Sequence, residues 1–276
     1  MLTYPEIDPV AFSLGPLTVH WYGLTYLVGF VGGWALGVYR SKQAWSPVTK
    51  KQVEDLLFFV ALGVVLGGRL GYVFLYNFGQ FLEDPLWLFR VWEGGMAFHG
   101  GLIGVVVAVL LFAKKTNNKF IDVMDFCAPL VTIGLGSGRI GNFIGQELWG
   151  RASDVPWAMV FPKAGDGIAR HPSQLYQAFL EGLVLFLVMF WFSSKPRPRA
   201  AISSLFLIVY GIFRFFVEFF REKDAHIDYI FDWMTRGQLL CIPMVLIGLA
   251  IFIISMTSKT NAQLERSQQK TGKANS

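Results

Sequence analysis

The sequence predicts an all-α integral membrane protein of about seven spanning helices, with its N-terminus outside, its C-terminus in the cytoplasm and a small external cap. Three observations predict it. Hydrophobic residues make up 54% of the 276 positions and charged ones 16%, and mean hydropathy is +0.47. A soluble domain of this length needs more polar surface, whereas a bilayer accepts an apolar exterior. Apolar runs of the roughly 20 residues that a spanning helix needs recur along the chain, and basic residues gather on alternate joints between them.

The elements follow in order. The N-terminal stretch MLTYPEIDPVAF carries Glu6 and Asp8 and no Lys or Arg, so it lacks the basic region of a cleavable signal peptide and is expected to be retained. Apolar runs then predict spans near 19–39, 53–76, 97–113, 124–146, 174–192, 202–221 and 237–256. Short polar joints separate them, with no long linker, internal repeat or low-complexity stretch. The longest external joint, roughly Glu147 to Ser173, reads as the cap. Residues 1–257 form a single transmembrane domain, and the polar tail 258–276 is expected to be disordered.

Charge sets the sides. Arg40, Lys42, Lys50 and Lys51 follow the first run, Lys114, Lys115 and Lys119 the third, and Lys195, Arg197 and Arg199 the fifth. With Lys259, Arg266, Lys270 and Lys273 in the tail, fourteen cations share one face. The other joints hold Arg90, Arg151, Lys163, Arg170, Lys223 and Arg236, mixed with acids. The positive-inside rule makes the first face cytoplasmic, and only an odd number of spans satisfies both termini.

Some classes lose support. No Lys/Arg run lies among stacking aromatics in a polar stretch, so nucleic-acid binding is not indicated. Cys127 and Cys241 sit in apolar segments without a CxxC or a nearby His pair and read as small buried side chains. No metal is expected, because His20, His171 and His226 lie in separate segments and no pair has ligand spacing.

Arg69, Arg139, Arg214 and Arg221 remain within or at the ends of spans, joined by His99 and Glu218. A charge at that depth costs several kcal/mol unless it is paired, hydrated or bound to an anion. Arg214, Glu218 and Arg221 recur at i, i+4 and i+7 in YGIFRFFVEFFRE, one helical face with Tyr210 a turn earlier. They form either an internal salt bridge or, since one carboxylate cannot neutralise two guanidiniums, a place for a second anion at Arg214. Arg139 lies in GLGSGRIGNF among Gly134, Gly136, Gly138 and Gly141. Such glycines let backbones approach closely or let a helix break. Arg139 with Asn142 suits phosphate; the alternative is helix packing with a snorkelling arginine. His99, flanked by glycine pairs in GGMAFHGGLIG, is either structural or a base open to substrate, since an imidazole near pKa ~6.5 suits proton abstraction. Tyr22, in HWYG, is an interfacial anchor or a hydrogen-bond donor into the site. Arg69, in GGRLGY, resembles the Arg139 setting and is not assigned.

Together these motifs resemble one family, the bacterial prolipoprotein diacylglyceryl transferases. The resemblance runs in order through DPVAFSLGPLTVHWYG at 8–23, GGRLGYVFLYN at 67–77 and RVWEGGMAFHGGLIG at 90–104. It continues through GRIGNFIGQELWGR at 138–151, RHPSQLYQ at 170–177 and YGIFRFFVEFFRE at 210–222. It implies an enzyme of the bacterial inner membrane that moves the sn-1,2-diacylglyceryl group of phosphatidylglycerol onto the lipobox cysteine thiol of a preprolipoprotein, releasing glycerol 1-phosphate. The resemblance makes His99, Arg139 and Arg214 the catalytic residues. It adds Tyr22, Asn142, Glu147, Gly150, Glu218 and Arg221, with Arg139 again, as substrate-binding residues. No cofactor is implied, and the partners are phosphatidylglycerol, the signal peptide bearing the lipobox cysteine, and the bilayer. In one departure, Gly145 stands where the family usually has Asn, so that contact is absent or supplied elsewhere, for example by Gln146. In another, the segment between Gly150 and His171 is shorter than in some members.

Chemistry agrees with the implied reaction. A thiol of pKa ~8.5 is only a few per cent ionised at neutral pH, so a base such as His99 is useful. As the C–O bond to phosphate breaks, charge grows on the leaving group, where two arginines would stabilise it. The competing expectation is a carrier or channel for an anionic solute, which intramembrane Arg and His and glycine-rich helices would also suit. Against it, no inverted repeat is visible and the motifs cluster towards one side.

Overall fold

The computed structural model describes residues 2–15, 17–222 and 234–257. The expected disorder of the 258–276 tail, its cations, and the placement of Lys223 and His226 lie outside the described residues. The fold is mostly helical. Its principal helices are α1 (Trp21–Ser41), α2 (Lys50–Tyr76), α4 (Phe98–Lys115), α5 (Phe120–Ile144), α8 (Ala201–Val217) and α9 (Arg236–Thr257). A further one runs over Ser173–Ser193 as α6 (Ser173–Gln177), a π-helical turn (Ala178–Val184) and α7 (Leu185–Ser193). The short α3 (Phe78–Glu83) and two 3₁₀ turns, Pro85–Phe89 and Val91–Glu93, lie between α2 and α4.

Among the described residues five helices are long and apolar enough to cross a membrane: α2, α4, α5, the 173–193 helix and α9. The chain is therefore a multi-pass membrane protein. Of the other two expected spans, α1 has the length, at 21 residues, but carries glycines, tyrosines and tryptophans that dilute its hydropathy. Helix α8 is apolar but stops after 17 residues.

Two local findings add to this mostly helical architecture. Val10–Leu14 (β2) and Leu17–His20 (β3) form an antiparallel hairpin, with Gly15 at φ +61° in the turn. Leu2–Thr3 (β1) pairs in parallel with Met159–Val160 (β4), which pairs antiparallel with Ala169–Arg170 (β5). These segments are too short to read as strands from periodicity, and β1 exists only through β4, more than a hundred residues along the chain. The second finding is a correction and concerns Arg221. The predicted helical face ends at Val217, because the chain turns at Glu218–Phe220 and Arg221 forms an antiparallel bridge to Gly150.

The chain divides into two compact units. The first combines Met1–Leu36 with Asp125–Ser276. Here α1 and α5 meet through small residues: a Cβ on Gly29 would come within 3.1 Å of the Gly134 Cα. Asp125, almost fully buried, accepts hydrogen bonds from the Ala200 and Ser203 backbone N–H groups at 2.8 Å each, and so caps α8 with negative charge at its N-terminus. Tyr4 packs against Phe143 and Phe161, and its hydroxyl lies 3.1 Å from the Phe143 and Ile144 carbonyls at the end of α5. The N-terminal strand is thus tied to the helix that carries Arg139.

The second unit is Gly37–Met124. Thr49 and Gln52 form a capping box that starts α2. Helices α2 and α4 then approach closely: a Cβ on Gly100 or Gly104 would collide with the carbonyl of Gly67 or Gly63. The structure settles Arg69. Its Nε donates to the Leu88 carbonyl at 3.0 Å, Nη1 to Gly94 at 2.6 Å and Nη2 to Trp87, and the guanidinium stacks 4.5 Å from the Trp87 ring centroid. It is buried and anchors the 3₁₀ segment to α2. Arg69→Ala would leave three carbonyls without their charged donor, so stability should fall by about 3 kcal/mol or more. Thermal unfolding in detergent checks this, and an unchanged midpoint would count against the anchor.

Candidate active site

The site starts from two glycines. A Cβ on Gly136 of α5 would lie 3.0 Å from the Gly182 Cα, so the two helices touch backbone to backbone. Arg139 follows Gly136 by one turn and Glu181 precedes Gly182, so the same contact brings their side chains together. Helix α5 runs unbroken to Ile144. Of the two expected uses of its glycines, close approach is therefore the one realised. The π turn at Ala178–Val184 adds a residue to the helical repeat and changes which side chains share a face; such turns are frequent at functional sites.

A chain of ion pairs results. Arg139 Nε lies 3.8 Å from one Glu181 oxygen, and Arg214 Nη1 lies 3.7 Å from the other. Arg214 Nη2 is 3.0 Å from Glu218, whose second oxygen is 3.7 Å from Arg221 Nη1. Asn142 Oδ1 lies 3.5 Å from Arg139 Nη1. Arg214 thus faces a second carboxylate of the protein itself, that of Glu181. Sequence reasoning passes over this residue, although it is the only charge in the 174–192 run. Its side chain is fully buried, whereas those of Arg139, Arg214 and Arg221 retain 20%, 14% and 16% exposure. Glu218 also lies beside Gly237 in the first turn of α9, where a helix N-terminus favours a carboxylate.

Tyr22, Glu147 and Gly150 occupy different ground in the same unit. The end of α5 is a Schellman turn: the Gln146 N–H donates to Phe143 and the Glu147 N–H to Asn142, with Gln146 at φ +50°. This turn presents Glu147 beside Lys163, whose Nζ lies 3.5 Å from the carboxylate and donates to the Gly145 carbonyl at 3.0 Å. Gln146 is occupied as well, since its Oε1 accepts the Lys163 N–H at 2.9 Å. Tyr22 packs beside Gly141, and its hydroxyl is 3.0 Å from that of Tyr26. Tyr22 and Glu147, with His20, Trp21 and Lys163, line an open cavity of about 970 Å³.

Gly150 has a backbone reason. Its N–H donates to the His171 carbonyl and the Arg151 N–H to Phe220, each at 2.9 Å, while Arg151 Nε donates to the Arg221 carbonyl. A Cβ at Gly150 would strike Phe220 and His171. Nearby, Arg170 pairs with Asp166 and Glu222. Burial opposes its charge, but the two carboxylates outweigh burial and raise its pKa. The Ile168 N–H, then Arg170, hold the Asp166 carboxyl below its usual range, and burial holds His171 below its own.

His99 belongs to the second unit, in the first turn of α4, and is exposed. The glycines on its two sides differ in use. Gly94 and Gly95 take positive φ, at +83° and +76°, whereas Gly100 packs on α2. Access to the imidazole therefore comes from its position on the helix and not from a general lack of bulk. Among the described residues neither Cys127 nor Cys241 forms a disulfide, and no three His, Cys, Asp or Glu side chains converge as metal ligands would.

Apolar helices that carry an alternating series of guanidiniums and carboxylates among them define a multi-pass membrane protein with an internal chain of ion pairs. Comparison with known proteins gives the rest. The family model for prolipoprotein diacylglyceryl transferase matches residues 9–254. A phosphatidylglycerol–prolipoprotein diacylglyceryl transferase of Teredinibacter turnerae is 66% identical over 263 residues, covering 91% of this chain and 92% of that protein. Enzymes of the same name from Methylococcus capsulatus and Pseudomonas aeruginosa are 58% and 57% identical, over 91% and 92% of this chain and 96% and 95% of theirs. The chain belongs to the prolipoprotein diacylglyceryl transferase family. It is a transferase of lipoprotein biosynthesis, which removes the solute-carrier alternative.

Proposed function

We propose that this protein transfers the sn-1,2-diacylglyceryl group of phosphatidylglycerol to the thiol of a lipobox cysteine in a preprolipoprotein, releasing glycerol 1-phosphate. The observation that carries this reading is the ion-pair chain from Arg139 to Arg221, which offers two guanidiniums to one phosphate within a membrane-spanning domain. His99 takes the thiol proton. The thiolate attacks C3 of the glyceryl group, an S–C bond forms, and the C–O electron pair leaves with the phosphate. Arg139 and Arg214 hold that phosphate as it passes from monoanionic diester towards dianionic monoester. Tyr22 and Glu147 meet substrate in the cavity they line, and Asn142 orients Arg139. Gly150, Glu218 and Arg221 keep the backbone crossing and the arginines in place.

The proposed setting is the bacterial inner membrane, with seven spans completed by α1 and α8, the N-terminus and cap outside, and the cytoplasmic face marked by the fourteen cations. A secreted precursor presents its lipobox cysteine on the outer side, tethered by its signal peptide. The lipid donor reaches the site sideways from the bilayer. Purified protein, phosphatidylglycerol and a lipobox peptide should give a peptide adduct whose mass shift equals one diacylglyceryl group. Absence of that adduct under conditions where the protein stays folded would reject the assignment.

A further inference from the structure

Lys163 has no part in the reaction as described, yet it lines the same open cavity as Tyr22 and Glu147. It sits in the 3₁₀ turn Pro162–Ala164, and its backbone N–H donates to Gln146 Oε1 at 2.9 Å. Its ammonium donates to the Gly145 carbonyl at 3.0 Å and to one Glu147 oxygen at 3.5 Å. Both side chains of that pair are about half exposed, so the ion pair itself adds little to stability. The pair also leaves bonding capacity over. An ammonium carries three donors, of which these contacts use two, and the second Glu147 oxygen accepts no hydrogen bond among the described residues. A spare donor and a spare acceptor therefore stand side by side among the lining residues.

Asn142 links this pair to the arginines. Its side-chain oxygen lies 3.5 Å from Arg139 Nη1, and its backbone carbonyl accepts the Glu147 N–H at 2.8 Å. A phosphodiester held at Arg139 has two arms. The diacylglyceryl arm is apolar and belongs in the bilayer, so the head group is the arm that an open, polar-lined cavity suits. Among the described residues Glu147 and Lys163 are the only acidic and basic side chains in that lining, beside the His20 imidazole and the Tyr22 hydroxyl. A lone carboxylate there would draw in a head group ending in an ammonium ahead of one ending in hydroxyls. Resting on the proposed reaction, we infer that Lys163 is a specificity-determining residue. Paired with Glu147, it cancels the pull on an ammonium head group and offers the hydroxyls of a glycerol head group a donor beside an acceptor.

Head-group choice separates this role from a merely structural one. Short-chain dihexanoyl phosphatidylglycerol and dihexanoyl phosphatidylethanolamine share acyl chains and phosphate and differ at the head-group end. Their affinities for the purified full-length protein are measured by calorimetry. The wild type should prefer phosphatidylglycerol. In Lys163→Met phosphatidylethanolamine should bind tighter than to the wild type, and the preference should fall about tenfold, as one unit charge a few ångströms away implies at a partly exposed site. Lys163→Arg keeps the charge and should stay within about threefold of the wild-type preference. Lys163→Gln loses the charge but keeps an N–H for the Gly145 carbonyl, and it should behave as the methionine variant does. Adding Glu147→Gln to Lys163→Met should abolish the gain in phosphatidylethanolamine affinity, because no uncompensated carboxylate remains.

An unchanged preference in folded Lys163→Met overturns the inference, and so does an equal loss in Lys163→Arg. A gain for phosphatidylethanolamine that persists in the double variant overturns it as well. Should the methionine variant fail to fold, Lys163→Gln carries the same test. Binding is read here without peptide, so the two failures stay distinct. A wild type that makes no peptide adduct rejects the reaction, whereas one that makes the adduct but binds both lipids alike rejects the role of Lys163.

Discussion

Replacing Arg139 by lysine should lower the rate of diacylglyceryl transfer by about a hundredfold or more, close to the effect of alanine, as for loss of a donor aimed at developing charge. Arg139 Nε faces Glu181 at 3.8 Å while Nη1 lies 3.5 Å from Asn142 Oδ1. The planar guanidinium can keep both directions and still turn an N–H edge to a phosphate. A lysine has one ammonium on a flexible stem, so engaging Glu181 draws it away from the phosphate and engaging the phosphate leaves Glu181 facing Arg214 alone. Charge is conserved in this substitution and geometry is not. Steady-state transfer to a lipobox peptide measures the effect, with thermal unfolding as the control for folding. Near-normal turnover in Arg139→Lys would remove the two-arginine clamp from the mechanism.

His99→Ala should reduce thiol transfer by a comparable factor, about 10²–10⁴ for loss of a general base, while leaving the protein folded and lipid bound. The packing of α4 explains the first half of that exemption. The helix is held to α2 by the close approach of Gly100 and Gly104 to Gly67 and Gly63, and His99 is exposed in the first turn. Deleting the imidazole thus leaves no cavity in the core. Residual activity should rise with pH as the peptide thiol ionises, near pH ~8.5, because spontaneous ionisation then does what the base did. Measuring rate against pH for both proteins tests this. A variant with wild-type rates across the whole range would show that His99 does not move the proton, and loss of lipid binding would show a different role.

The residues separate by how far their chemistry is local. Spans, charged joints and the Arg139, His99 and Arg214 motifs are legible because the membrane acts on each run by itself: an apolar stretch long enough to span reports its solvent directly, and a cation within it stands out. The strands β1, β4 and β5 are not legible, since each pair exists only through a partner more than a hundred residues away or through a turn that nothing in the periodicity marks. Arg221 shows the same limit. Its i+7 spacing from Arg214 describes a helix that continues, yet the pull of Gly150 and Arg151 on the backbone ends that helix at Val217.

Gly150 and Arg69 are legible as motif positions and not as functions. Only the folded chain reveals that Gly150 has no room for a Cβ and that Arg69 serves three carbonyls of the 3₁₀ segment. By itself, then, the sequence determined the class of protein, its family motifs and which side chains were too costly to be incidental. What only the tertiary structure decided is which charges meet. Helical spacing relates residues within one helix, but the Gly136–Gly182 contact joins two, and through it Glu181 reaches both Arg139 and Arg214. Coulombic energy depends on that distance in space, which no spacing along the chain contains.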